Sequence, residues 1–149
     1  MSPPVELLFR IEREDDWPPA AVEGIWVEPV GGAFRALTCP LFVGGLSVGD
    51  LFEPDLADDG EVVSFRLIRP SQHSTVWVLA DDPEPRESLR TALEAIGCDT
   101  VGLSGLIPAL IAIDVPPSVA LDAVDALLDR PARDGHISVA YPSLRHPDS

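Results

Sequence analysis

Residues 5–13, VELLFRIER, set Val5, Leu7, Phe9 and Ile11 against Glu6, Arg10 and Glu12, with Leu8 breaking the alternation. A period of two predicts a half-buried strand. The polar stretch EDDWPPA follows as a loop, and two further strands are expected over 24–30 and 33–39. Gly31-Gly32 between them is a hairpin signal, because paired glycines accept the positive φ of a primed turn, and Pro40 ends the second of these strands. Val48-Gly49-Asp50-Leu51-Phe52 reads as a turn feeding a strand, DLADDG as an acidic loop, and EVVSFRLIR over 61–69 as another alternating strand with Val63, Phe65 and Leu67 on one face. Several short strands without a helix predict a small antiparallel β-sheet or partly closed barrel.

Beyond residue 70 the period changes. A strand is expected over 74–80, then a helix opened by Asp81-Asp82-Pro83, with Leu89, Ala92, Leu93 and Ile96 as its apolar stripe and Gly97 at its C-terminal cap. Strands are expected over 100–104 and 110–115. A second helix follows, capped by Ser118 and stopped by Pro131, with Leu121, Val124, Leu127 and Leu128 facing inward, and a last strand runs over 136–141. The order β-α-β-β-α-β is that of a ferredoxin-like half, two helices on one face of a four-stranded antiparallel sheet. The fold class is therefore α+β, with a β-rich, barrel-like subdomain over 1–70 and a ferredoxin-like subdomain over 71–149, co-folded as one unit.

Composition narrows the chemistry. The chain has 149 residues, 25 acidic against 10 basic, and a formal charge of −15; every basic residue is arginine, and neither lysine nor asparagine occurs. Without lysine there is no Schiff base, no pyridoxal phosphate anchor and no P-loop lysine. The net charge disfavours direct binding to a nucleic-acid backbone and suits a basic partner or plain solubility. No apolar run is long enough to span a membrane, and the opening MSPPVELLFRIERE lacks the pattern of a signal peptide. Cys39 and Cys98, without C-x-x-C spacing, read as free buried thiols. A cytoplasmic protein is expected.

Three stretches, EGIWVEPVG over 23–31, PLFVGGLSVGD over 40–50 and PSQHSTVWV over 70–78, with Asp114-Val115-Pro116 after them, resemble the bacterial 4265 family of domains of unknown function. Gln72 stands where that motif is expected to carry glycine. The resemblance covers nearly the whole chain and implies a bacterial source and a single co-folded unit, with no assigned activity.

Candidate chemistry is sparse. His73-Ser74-Thr75 places a histidine beside two hydroxyls, but neighbours in a strand point to opposite faces, so Asp50 or Asp114 would have to complete a site. Structural capping is favoured for these residues, then ligand contact, then catalysis. His73, His136 and His146 are dispersed, His146 in a tail expected to fray, so no metal and no cofactor is expected. The loops at Glu14-Asp15-Asp16 and Asp55–Asp59 lack calcium-loop spacing and read as solvated turns. Trp26 and Trp77 are expected in the core. Trp17, in the proline-stiffened acidic loop, is a candidate anchor. Asp122, Asp125 and Asp129 fall on the helix face opposite the leucine stripe, either a solvated face or a patch for a basic partner.

The sequence thus favours a non-catalytic binder over an enzyme: an acidic protein-interaction module such as an immunity or antitoxin-type inhibitor of a basic partner. Its alternative is a small-molecule-sensing or accessory module of a biosynthetic operon, and a hydrolase using His73 ranks third. A homodimer is compatible with either binding role.

Overall fold

A computed structural model of the chain describes residues 3–12, 15, 21–103 and 107–146. Its class is α+β, mostly antiparallel strands with two helices. The chain divides into two compact units, Met1–Ser71 and Gln72–Ser149.

The first unit is a meander of β1 (Val5–Arg10), β2 (Val22–Val30), β3 (Ala33–Ala36), β4 (Leu51–Leu56) and β5 (Val62–Arg69), each antiparallel to the next. β1 meets β5 through one parallel pair, Phe9↔Val62, which closes the strand order. Gly31 and Gly32, at φ +53° and +88°, form the primed turn that sets Val30 opposite Ala33. Inward positions supply one core of Phe9, Ile25, Val27, Phe52 and Val62, with the Phe9 and Phe65 rings each 5.9 Å or 6.1 Å from their neighbours.

Three expectations change here. β3 ends at Ala36, not at residue 39, because the Thr38 hydroxyl, at 3.0 Å, replaces a ladder carbonyl as acceptor for the Trp26 amide. In β5, Leu56 faces Val62 and Asp55 faces Ser64, so Val63 is an extra residue in a bulge. The bulge lets Val62 and then Phe65 and Leu67 face the same core and turns Val63 outward. Trp26 is 46 % exposed, not buried. Ile25 and Val27 take the interior, so period two sends the residue between them to the outer face.

The second unit contains β6 (Ser74–Leu79), α1 (Pro83–Ala95), β7 (Asp99–Leu103), β8 (Ile107–Val115), α2 (Leu121–Arg133) and β9 (Ser138–Ser143). Its sheet has the order β7-β8-β6-β9 with every pair antiparallel. Val76, Val78, Ile111, Ile113 and Val115 form one face of the sheet, and Leu89 and Leu93 of α1 and Val124 and Leu128 of α2 pack onto it. α1 starts as expected: the Asp82 side chain accepts from the Glu84 amide, Pro83 follows, and Gly97 beyond the end takes φ +108°. α2 does not. Its N-cap is Ala120 with no side-chain cap bond, because Ser118 lies in the turn closed by Val119 N–H donating to Pro116 O at 3.0 Å. Pro131 sits inside the helix, which runs on to Arg133; in the last turn its missing N–H forfeits a single bond. The last strand is shifted to 138–143, and Ile137 before it joins the core. Trp77, on the sheet face opposite Val76 and Val78, is half-buried where a core position was expected.

Candidate functional site

The groove between α2 and the edge strand β9 gathers Asp122, Asp125, Leu128, Asp129, Val139 and Tyr141. Val124 and Leu128 are anchored in the core, so helical spacing turns the three aspartates away from it. The Tyr141 hydroxyl donates to Asp125 Oδ1 at 2.9 Å, which joins strand and helix across the groove. Burial, then this bond and the charges of Asp125 and Asp129, push the phenol above its ordinary range. Asp129 is paired with Arg133 at 3.2 Å, and Arg130 and Arg133 supply positive charge in the last helical turn, so the stripe is less one-sided than spacing alone suggested. Trp17 lies outside the described residues.

Each of the other motif-bearing stretches is held by a carboxylate. Glu23, on the same parity of β2 as the buried Ile25 and Val27, points inward and accepts three consecutive backbone amides: Leu41 at 2.7 Å, Phe42 at 2.9 Å and Val43 at 3.2 Å. Burial raises its pKa, and the three amides oppose the shift. Asp50, fully buried, accepts from the Ser47 amide at 2.8 Å and the Ser71 amide at 2.7 Å, while the Ser71 hydroxyl donates to Val48 O at 2.6 Å. Sequence reasoning missed Glu23. The available signal was a charged residue on the core parity of a strand.

In the second unit Asp114 is the residue that reaches His73. Nδ1 of the imidazole lies 2.9 Å from Asp114 Oδ1, a bond to a carboxylate that makes Nδ1–H the donor. Burial raises the Asp114 carboxyl, opposed by His73. Asp114 also stands opposite Thr75 and Asp99, and Thr75 opposite Ser143, so one polar row crosses all four strands. Ser74 points the other way and is fully buried. Its Oγ lies 2.6 Å from His146 Nδ1 and accepts from the Arg145 amide at 2.7 Å. His146 Nε2 lies 3.0 Å from Pro116 O and 2.9 Å from Val119 O. Carbonyls only accept, so Nε2 carries the proton and Nδ1 takes the one from Ser74. His146, expected to fray, is instead clasped to β6. The arrangement joins His73 to Asp114 and Ser74 to His146, and so does not make His73 and Ser74 a base and its nucleophile.

Among the described residues no group of three or more His, Cys, Asp or Glu is arranged to hold a metal ion, and no helix is long and apolar enough to cross a membrane. Cys39 and Cys98 are both buried and are not joined in a disulfide. Burial, with the charges of Asp114 and Asp99, pushes the Cys98 thiol up to about 11.

A family model described as Domain of unknown function (DUF4265) matches residues 23–139. The chain belongs to the DUF4265 family. Glu23, Asp50, His73 and Asp114 all lie within the matched DUF4265 segment. A solved structure described as a novel crystal structure of a hypothetical protein from Neisseria gonorrhoeae is similar, at 17 % identity and TM-score 0.68 over 97 % of this chain and 96 % of that one. That likeness shows the fold of this DUF4265 member. No curated protein matches the chain.

Proposed function

We propose that this DUF4265 chain is a non-catalytic bacterial binding protein whose α2–β9 face receives a basic segment of a partner protein, in the manner of an immunity or antitoxin-type inhibitor. The observation that carries the reading is the groove itself: Asp122, Asp125 and Asp129 line one wall, Tyr141 the other, with Leu128 and Val139 between them. A guanidinium or ammonium group suits this combination of carboxylate, aromatic ring and apolar floor. The exposed Asp129–Arg133 pair is of a kind that contributes little, so an incoming cation displaces Arg133 at small cost. A molecule of charge −15 also steers a basic partner from a distance. Pro142 lacks an amide hydrogen and blunts the β9 edge, which favours recognition by side chains over addition of a full strand. Two buried cysteines outside any disulfide fit a cytoplasmic setting.

The order β7-β8-β6-β9, with both helices on one face, supports a ferredoxin-like description of the second unit, and closure of β1 on β5 supports a barrel-like one for the first. By fold analogy alone this leaves a small-molecule-sensing or accessory module as the second reading. A hydrolase built on His73 has the least support, since Ser74 is buried and clasps His146.

The test compares wild type with a chain carrying Asp122→Ser, Asp125→Ser and Asp129→Ser. Both are used to capture proteins from the native host, and association of any basic protein retained by wild type is then timed by stopped flow. The triple substitution slows association about tenfold at low salt. The two chains converge near about 0.5 M salt, where the Debye length is roughly 4 Å. Equal association rates at low salt would overturn the reading.

A further inference from the structure

We infer that the outward face of β1, β2 and the end of β3 is a second docking surface, one that takes an arginine-bearing segment of a partner protein. It lies in the first unit and rests on residues the α2–β9 reading does not use. On this face Leu8 stands opposite Gly24, Arg10 opposite Val22 and Glu6 opposite Trp26. The Leu37 amide donates to Trp26 O at 2.8 Å and brings Leu37 beside the indole strand. Leu8, Val22, Trp26 and Leu37 are exposed by 44, 37, 46 and 39 %, four large apolar side chains on β1, β2 and the residue that follows β3. Patches of this kind on a soluble chain mark interaction sites, and tryptophan is the commonest anchor within them.

Two features select the occupant. Gly24 lies in a strand interior, where glycine weakens the strand and marks a close approach. What approaches is the Glu6 carboxylate, which lies over Gly24 so closely that any Cβ there would collide with it. An exposed carboxylate thus lies over the bare backbone of Gly24, on the strand position opposite Trp26. None of the ion pairs among the described residues takes Glu6. Two arginines on that face are already tied, Arg10 to Asp59 at 3.1 Å and Glu61 at 3.0 Å, and Arg35 to Glu28 at 2.6 Å. A guanidinium satisfies both neighbours at once, stacking on the indole and bonding the carboxylate in a fork. A second copy of the chain fits worse, because a two-fold contact here would set Glu6 against Glu6 in a molecule of charge −15.

The probe is the peptide acetyl-Val-Arg-Val-Arg-Val-amide, titrated into the full ¹⁵N-labelled chain, with the citrulline analogue as its uncharged control. The Trp26 indole N–H resonance, assigned with Trp26→Phe, moves with the arginine peptide. Glu6→Gln weakens binding about threefold or more, and so does citrulline, the size expected of one exposed cation contact. Read at the Leu8 and Leu37 backbone amides, which every variant keeps, Trp26→Ala abolishes the peptide-induced shift, and Trp26→Phe retains part of it should the alanine chain fail to fold. The Asp122, Asp125 and Asp129 triple substitution leaves the shift intact, which separates this surface from the α2–β9 face. Equal shifts with arginine and citrulline peptides would overturn the inference. So would no movement up to about 5 mM peptide, the weak end of single-anchor affinity. Concentration-dependent dimerisation abolished by Trp26→Ala would overturn it in favour of a second copy.

Discussion

Removing the Glu23 side chain tests whether one carboxylate holds the 41–43 loop. Its two oxygens divide the work: Oε2 accepts from Leu41, and Oε1 accepts from Phe42 and Val43. Glutamine can keep the two bonds to its single carbonyl oxygen, but its NH₂ then faces the Leu41 amide, donor against donor. One unsatisfied buried donor costs about 1–3 kcal/mol. Alanine strands all three amides. The full sum is reduced because burial already disfavours the ionised carboxylate and because water can enter the space the side chain leaves, so we expect a loss of about 3 kcal/mol for Glu23→Ala and about 1–2 for Glu23→Gln. For a chain of this size about 3 kcal/mol lowers the melting temperature by roughly 6–12 °C. Urea unfolding in a Trp77→Phe background reads residues 1–71 through their own tryptophans. Losses below about 0.5 kcal/mol for both variants would mean the loop amides do as well with water, and the latch would be refuted.

The same residue fixes a sign. Its folded-state pKa is raised, so the native chain holds this proton more tightly than the unfolded chain does. The contribution of that titration is complete below the ordinary glutamate value and is lost as pH rises through the raised one. Acidification therefore does not release the loop. The stability difference between wild type and Glu23→Gln widens as pH falls through this window, and a gap that narrowed would contradict burial as the dominant cause.

Two further outcomes are expected. A thiol-reactive aromatic disulfide at pH 8 labels neither Cys39 nor Cys98 until the chain is denatured, since both are buried and the Cys98 thiol is pushed to about 11; rapid native labelling, or a melting temperature that falls with reductant, contradicts this. His73→Ala leaves buried Asp114 without its imidazole donor and destabilises the second unit by about 1–3 kcal/mol, with no ester, phosphate or peptide hydrolysis to lose; wild-type turnover abolished by this change would move the chain to the enzymes.

Periodicity made most elements legible in the sequence: the Gly31-Gly32 hairpin, the helix start at Asp81-Asp82-Pro83 and the inward stripes of both helices appear where the residues place them, except that Ile96, expected in the α1 stripe, caps the helix end and is exposed. What failed was local context that one residue type cannot carry. The Val63 bulge arises from pairing with β4, so alternation read along β5 alone picks Val63 for the core. Trp26 was placed by its apolar neighbours, when those neighbours are the reason it faces out. Pro131 ends no helix because only the last turn follows it. The candidate groove was half visible: helical spacing gives Asp122, Asp125 and Asp129, but Tyr141 joins them through a strand that sequence separation hides. His146 looked frayed because its partners, Ser74, Pro116 and Val119, are distant in the chain.

The absence of asparagine bears on how the net charge is read. Asparagine is a common side chain for holding loop amides, because its carbonyl accepts without bringing a charge inside. This chain has none. Glu23, Asp50 and Asp114 accept from loop amides or from an imidazole, and for Glu23 and Asp114 the raised pKa records the cost of burial. Part of the formal charge of −15 thus belongs to the inside of the fold and is unavailable to any partner. A count of acids therefore overstates the case for a basic ligand, and a binding role has to rest on the acids the fold leaves outside. Asp122 and Asp129 on α2, with Glu6 on β1, meet that condition, whereas Asp50, which the sequence offered as a ligand contact, does not.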